Sequence, residues 1–202
     1  MAVKRRPIFA RFYELLSRGE DRFIRSYREE VAGGARGRTL ELGAGNGLNF
    51  AHYPAGVTVI AVEPQPDMLG RAARRARAAP ARVHLVRAAA EALPFRDGAF
   101  DTAVVSLVLC SVSDPPGVSA ELGRVLGADG EIRLFEHVRS EEPGIARWQD
   151  RLNRPYGWFA GGCNMNRDSL GTLSRAGFGV RFRRLAYGPR FAPHVLGMAR
   201  KR

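Results

Sequence analysis

The stretch Thr39-Leu40-Glu41-Leu42-Gly43-Ala44-Gly45-Asn46-Gly47-Leu48 decides the fold. A short apolar strand runs straight into three glycines at alternate positions. Glycine reaches positive φ without steric cost and lets a backbone close on a ligand. A strand ending in such a turn reads as the first βα unit of a parallel sheet. A second strand, Val57–Val62, ends at Glu63, twenty residues after Gly43. An acid at that place accepts hydrogen bonds from ribose hydroxyls. Turn and acid together point to an adenosine-containing cofactor. A dinucleotide turn spaces its glycines G-x-G-x-x-G to seat a pyrophosphate on a helix end. Here the spacing is G-x-G-x-G, and Glu41 stands two residues before the first glycine. An acid there repels a pyrophosphate and suits an ammonium group. S-adenosylmethionine (SAM) carries an ammonium, a ribose and no pyrophosphate, so it is the expected cofactor.

Working outward, the alternation of strand and helix continues. Val83–Val86, Asp101–Ser106 and Glu131–Val138 read as strands, with Val180–Leu185 and His194–Ala199 as a final pair. Gln65–Ala79, Pro115–Leu126 and Arg167–Ala176 read as helices. Asp114 before two prolines is a helix cap, and Gly177 is a helix stop. Ahead of the sheet, Ile8, Phe9, Phe12, Leu15 and Leu16 recur at helical spacing. Asp21–Val31 continues that pattern until Gly33-Gly34. The expected organisation is a helical cap over residues 1–34 and one α/β domain over residues 35–202. A chain of 202 residues suits a single compact domain.

The runs ELGAGNGLNFAHYP, VTVIAVEPQPDML, AEALPFRDGAFDTAVVSLVLCSV and EIRLFEHV resemble the class I SAM-dependent methyltransferases in sequence and in order. The LVLCSV, EHV and GGCNMNRDSL blocks are most similar to the branch that includes alkyl-thiol methyltransferases. The resemblance covers about Thr39 to Phe178. It implies a Rossmann-like seven-stranded sheet of order 3-2-1-4-5-7-6, last strand antiparallel, with helices on both faces. It also implies roles: Gly43, Gly45 and Gly47 along the methionine tail, and Glu63 on the ribose. Glu41 is the acid for the ammonium. Pro64 and Met68 would flank the adenine, with Ala89, Ala90 and Glu91 in the loop beyond the third strand. Many relatives place an aspartate at the position of Ala89, so backbone around Ala90 takes over adenine recognition. Ser106 and Leu107 would end the fourth strand near the reacting methyl.

For the acceptor, His137 is the candidate catalytic residue, because it closes the fifth strand beside the expected pocket. Asn164 and Arg167 are candidates for a polar substrate group, Trp158 for an apolar wall, and Phe12 and Tyr13 for a lid. Cys110 reads as a small apolar residue, and neither it nor Cys163 has a spaced ligand set, so no metal is expected. The expected reaction is methyl transfer to a small lipophilic acceptor. A thiol comes first, with a phospholipid amine or a quinone-like ring as alternatives.

Charge sets the rival readings. The formal net charge is +12, and only Lys4 and Lys201 are lysines. The Arg71, Arg74 and Arg75 face invites an RNA methyltransferase reading. That reading lacks a separate RNA module, so nucleic acid is not the expected partner. A non-catalytic SAM-binding or membrane-surface protein is the third reading, resting on Lys4, Arg5 and Arg6 beside an apolar helix face. No apolar run reaches the ~20 residues of a membrane span, and a cytoplasmic location is expected.

Overall fold

The computed structural model describes residues 14, 23–159, 161–187 and 190–202. Phe12, Tyr13 and most of the expected cap lie outside the described residues. Residues 23–33 form helix α1 and end at Gly34.

Seven strands follow: β1 (Arg38–Leu42), β2 (Thr58–Val62), β3 (Arg82–Val86), β4 (Phe100–Ser106), β5 (Leu126–His137), β6 (Phe178–Arg184) and β7 (His194–Lys201). They form one sheet in the order β3-β2-β1-β4-β5-β7-β6. β1 to β5 pair in parallel, while β7 runs antiparallel between β5 and β6. The expected fold is therefore the observed one. Helices α2 (Pro66–Ala76), α3 (Pro115–Val125), α4 (Pro143–Phe159) and α5 (Ser169–Arg175) connect the strands.

The sheet is covered on both faces, and strand alternation sorts its side chains. Leu40, Leu42, Ala103, Val105, Ile132 and Leu134 pack against Val118 and Leu122 of α3 and Leu173 of α5. Val59, Ala61, Val104 and Phe135 pack on the other face against Ile24 and Val31 of α1 and Ala72 of α2. Successive residues of a strand point to opposite faces. Glu136 therefore turns toward the α3 side and His137 toward the α1 side.

Local chemistry sets the helix starts. Asp114 accepts from the N–H of Gly117 at 3.0 Å, and Asp168 from that of Gly171 at 2.9 Å. Helix α4 is absent from the sequence reading. Its sequence, PGIARWQDRLNRPYGWF, carries an internal Pro155 and two glycines that weaken a helical signal. Tertiary fastening overrides that weakness. Buried Gln149 reaches the carbonyls of Val138, Met165 and Phe191 and accepts from the N–H of Ser140. Among the described residues, no helix is long and apolar enough to cross a membrane.

Candidate functional site

The carboxyl ends of β1 and β4 open a narrow cleft, the place where ligands sit on such sheets. Its lining includes Arg28, Glu41, Gly43, Gly45, Asn49, Ser106 and Leu107. Three glycines of the turn hold positive φ: 63° at Gly43, 55° at Gly45 and 82° at Gly47. Two of them are also forced by crowding. A Cβ at Gly43 would stand 2.7 Å from Val108, and one at Gly47 would stand 2.6 Å from Phe50. A Cβ at Gly45 would meet nothing within 4 Å. That position faces the open cleft.

Glu41 lies at the floor and is buried. Its Oε1 accepts from Asn49 Nδ2 at 3.0 Å. The same Nδ2 is 3.1 Å from Ser106 Oγ, and Arg28 donates to Asn49 Oδ1 at 2.9 Å. Burial pushes Glu41 up to about 7, while Tyr53, Asn49 and the Arg28 charge pull it down. The Tyr53 hydroxyl is close enough to influence that carboxyl. Even so, Glu41 Oε2 and the hydroxyl both lack a partner in hydrogen-bond geometry. An unpaired buried carboxylate oxygen is costly. An ammonium group entering the cleft would satisfy it.

Glu63 closes the side toward β2. It accepts from the N–H of Gly45 at 2.9 Å and of Gln65 at 2.8 Å. These bonds aim the carboxylate at the glycine turn and leave lone pairs for hydroxyls. Burial raises its pKa against the two backbone bonds. The donor set fits SAM: an unmatched carboxylate oxygen, an acid held at the turn, and a glycine with room beside it.

Arg71 and Arg75 are turned to this site and not outward. Arg75 donates to Glu14 Oε1 at 2.7 Å and to the carbonyl of Asn46 at 2.9 Å, and Arg71 pairs with Glu14 at 3.9 Å. Asn46 Nδ2 donates to the same Glu14 at 2.8 Å. Two of the three arginines offered as a nucleic-acid face thus brace the glycine turn.

The far wall is built by the loop after β4. Leu107 has φ 59°, and its N–H donates to the carbonyl of Phe135 at 2.8 Å. Glu136 Oε1 accepts from the N–H of Val108 and of Leu109 at 2.6 and 2.9 Å, and Oε2 from Cys110 at 3.3 Å. Burial lifts Glu136 to about 7 against those bonds. Beyond Phe135, rings follow one another. Tyr27 lies 5.9 Å from Phe135 and 6.1 Å from Tyr187. His137 stacks on His194 at 4.9 Å and meets Tyr156 edge-on at 6.0 Å.

His137 is brought to this wall, but not as a basic group. Burial and the neighbouring His194 push it down to about 3, so it is a neutral ring. Its Nδ1 is 3.4 Å from Cys163 Sγ, and its buried Nε2 lacks a hydrogen-bond partner.

The structure also describes the other expected site residues. Asn164 Nδ2 donates to the carbonyls of Cys110 and Gly162, and its Oδ1 accepts from Asn153. Arg167 donates to the carbonyls of Leu109 and Val112 at 3.1 and 2.5 Å. Both side chains are engaged in holding the loop after β4. Trp158 is 79% exposed among the described residues. Pro64, Met68, Ala89, Ala90 and Glu91, like Glu63, do not line this narrow cleft; Pro64 follows Glu63 directly, and Ala89, Ala90 and Glu91 occupy the loop beyond β3. Met68 and Ala90 are buried, and Glu91 accepts from the N–H and hydroxyl of Ser113. Among the described residues, no group of three or more His, Cys, Asp or Glu is placed to hold a metal ion.

Arg28, Asn49, Tyr53 and the ring wall of Tyr27 and Tyr187 are absent from the sequence reading. Asn49 alone carried a signal, as a polar residue beside the glycine turn.

Comparisons with known proteins agree with this geometry. A family model described as a methyltransferase domain matches residues 40–134. Human thiol S-methyltransferase TMT1B is 32% identical over 179 residues, covering 83% of this chain and 73% of that protein. Human thiol S-methyltransferase TMT1A is 34% identical over 143 residues, covering 69% of this chain. The match spans 59% of the length of TMT1A. A structure of geranyl diphosphate methyltransferase in complex with SAM superposes with a TM-score of 0.71 at 17% identity, covering 96% of this chain and 90% of that one.

Proposed function

The chain belongs to the class I SAM-dependent methyltransferases, and on that premise we propose that it methylates a small lipophilic thiol with SAM as donor. One observation carries the donor half: the unpaired, buried Oε2 of Glu41 beside a glycine turn with room at Gly45. Another supports an apolar acceptor: the wall of Tyr27, Phe135, His137, Tyr156, Tyr187 and His194, which begins next to the cleft where Ser106 pairs with Phe135.

When bound, SAM supplies an electrophilic methyl group on a sulfonium. The chain's own task is to hold, align and keep water out. Glu41 receives the ammonium, held in place by Asn49 and, through it, by Arg28. Glu63 receives the ribose hydroxyls. The loop from Leu107 to Cys110, fixed by Glu136, forms the wall nearest the reacting methyl. The rings hold the acceptor's apolar body. Nε2 of His137 offers a hydrogen bond to the acceptor sulfur, while its neutral ring takes no proton at neutral pH. A cysteine-like thiol has a pKa of roughly 8.5 and a plain alkyl thiol a higher one, so only a small thiolate fraction is present at neutral pH. The proton is then lost to solvent before transfer.

The test is purified protein with methyl-labelled SAM and a panel of alkyl thiols, a phospholipid amine and a quinol. Transfer to thiols that strengthens with alkyl length supports the reading. Transfer to another class alone overturns the thiol assignment, and absence of SAM binding overturns the whole.

A further inference from the structure

The loop after β4 and the segment before α5 meet at two cysteines. The N–H and the side-chain amide of Asn164, next to Cys163, both donate to the carbonyl of Cys110, at 2.8 and 3.1 Å. The two backbones are thus already joined at this point. The two thiols are near enough for each to influence the other's ionisation. Around them stand the other ionisable groups of the cluster. Glu136 accepts from the N–H of Cys110 and lies beside its thiol. His137 Nδ1 is 3.4 Å from Cys163 Sγ, with His194 stacked behind it, and Ser111 Oγ is 3.4 Å from Cys110 Sγ. Cys110 is fully buried, whereas Cys163 is partly exposed.

We propose that Cys163 and Cys110 form a reversible disulfide on exposure to a hydroperoxide, with Cys163 as the residue attacked first and Cys110 as the resolving thiol. Exposure decides the order, since an oxidant reaches only Cys163 from solvent. The contact with Cys163 and burial hold the Cys110 thiol well above its usual range, so it stays protonated until its partner is oxidised.

Both steps balance. In the first, the sulfur of Cys163 attacks one peroxide oxygen and an S–O bond forms. The O–O bond breaks, and the leaving hydroxide takes the thiol proton as water. The sulfur is oxidised to a sulfenic acid and the peroxide is reduced. In the second, the sulfur of Cys110 attacks that of Cys163 and an S–S bond forms. The S–O bond breaks, and hydroxide leaves with the Cys110 proton as a second water. Glu136 sits beside Cys110 to receive that proton in passing. Once bridged, Cys163 is withdrawn from His137, and the loop behind the cofactor cleft is bound covalently to the segment before α5.

The experiment treats the full chain with hydrogen peroxide and reads intact mass, a tryptic map and reversal by a thiol reductant. The expected result is a mass loss of two hydrogens, with the peptide holding Cys110 joined to the one holding Cys163. In Cys110→Ser, Cys163 is expected to be captured by dimedone as a sulfenic acid. In Cys163→Ser, no capture is expected. A gain of two oxygens on Cys163 without a joined peptide overturns the proposal. So does joining between two chains in place of one, or dimedone capture in Cys163→Ser. The wild-type mass and map decide the question even if a variant folds poorly. None of these readouts depends on methyl transfer, so they stand apart from the acceptor assignment.

Discussion

Glu136 Oε1 accepts the backbone N–H of Val108 at 2.6 Å, the shortest of three bonds by which one buried carboxylate holds the loop after β4. Removing it strands three buried donors, each costing about 1–3 kcal/mol when left unmet. Glu136→Ala is expected to lower the melting temperature strongly and weaken binding of S-adenosylhomocysteine (SAH). Glu136→Gln keeps an oxygen for Val108 and Leu109 and loses only the Cys110 bond, so its effect should be smaller. Calorimetric melting and SAH titration check the order. Equal effects from both variants would contradict it.

Glu41 links binding to pH. Burial holds it at about 7 before a ligand arrives. The ammonium of SAM or SAH favours the ionised form, so binding at pH 7 expels a proton. Below pH 7 the carboxyl is protonated beforehand, and affinity should fall up to about tenfold per pH unit. Calorimetry in buffers of different ionisation enthalpy reads the released proton directly. A binding heat that is the same in every buffer would remove Glu41 from the ammonium.

His137 links stability to pH. Its folded pKa lies near 3 against an ordinary 6.5, so the folded state prefers the neutral ring. That preference is fully present above pH 6.5 and is lost as pH falls from there toward 3. The stability difference between wild type and His137→Leu should therefore shift in favour of the variant on acidification below pH 6.5. Urea denaturation at pH 7.5 and pH 5 measures it. A difference that does not change with pH would show that the ring titrates normally.

The glycines of the turn should separate by consequence. Gly47→Ala places a Cβ 2.6 Å from Phe50 at φ 82° and is expected to cost both stability and binding. Gly45→Ala meets no protein atom within 4 Å and costs only the backbone term, roughly 1–2 kcal/mol. Its larger effect should fall on SAH affinity, because the added methyl occupies the open cleft. Paired melting and titration experiments distinguish the two. Gly45→Ala with undiminished affinity would mean that nothing approaches that position.

Glu63→Ala should weaken SAH binding between a few-fold and a hundredfold, the scale of about 1.5–3 kcal/mol for hydrogen bonds to a charged group. Unchanged affinity in the same titration would remove the ribose role.

Much of this was legible in the chain. Strand periodicity and the glycine turn led to the sheet, and Glu41 and Glu63 stand where the spacing put them. What stayed hidden depends on contacts distant in sequence. Arg28 reaches Asn49 across 21 positions, and Arg167 reaches Leu109 across 58. No local pattern encodes such pairings. An arginine near a predicted pocket is as well suited to backbone carbonyls as to a substrate, and only the fold decides between them. His137 shows the same limit: its place at a strand end was legible, while its neutral state depends on its burial and on His194, which arrives on β7.

The position of β7 orders events during synthesis. Of the seven strands, the last to be synthesised is the one inserted between β5 and β6. Until residues 194–201 emerge, β6 has no neighbour in the sheet, and β5 carries a bare row of backbone donors and acceptors. The half that holds Glu41, Glu63 and the glycine turn needs only β1 to β4 for its strand pairing. His137 gains His194 only with the final strand. The donor side can therefore assemble ahead of the ring wall, which must wait for β7.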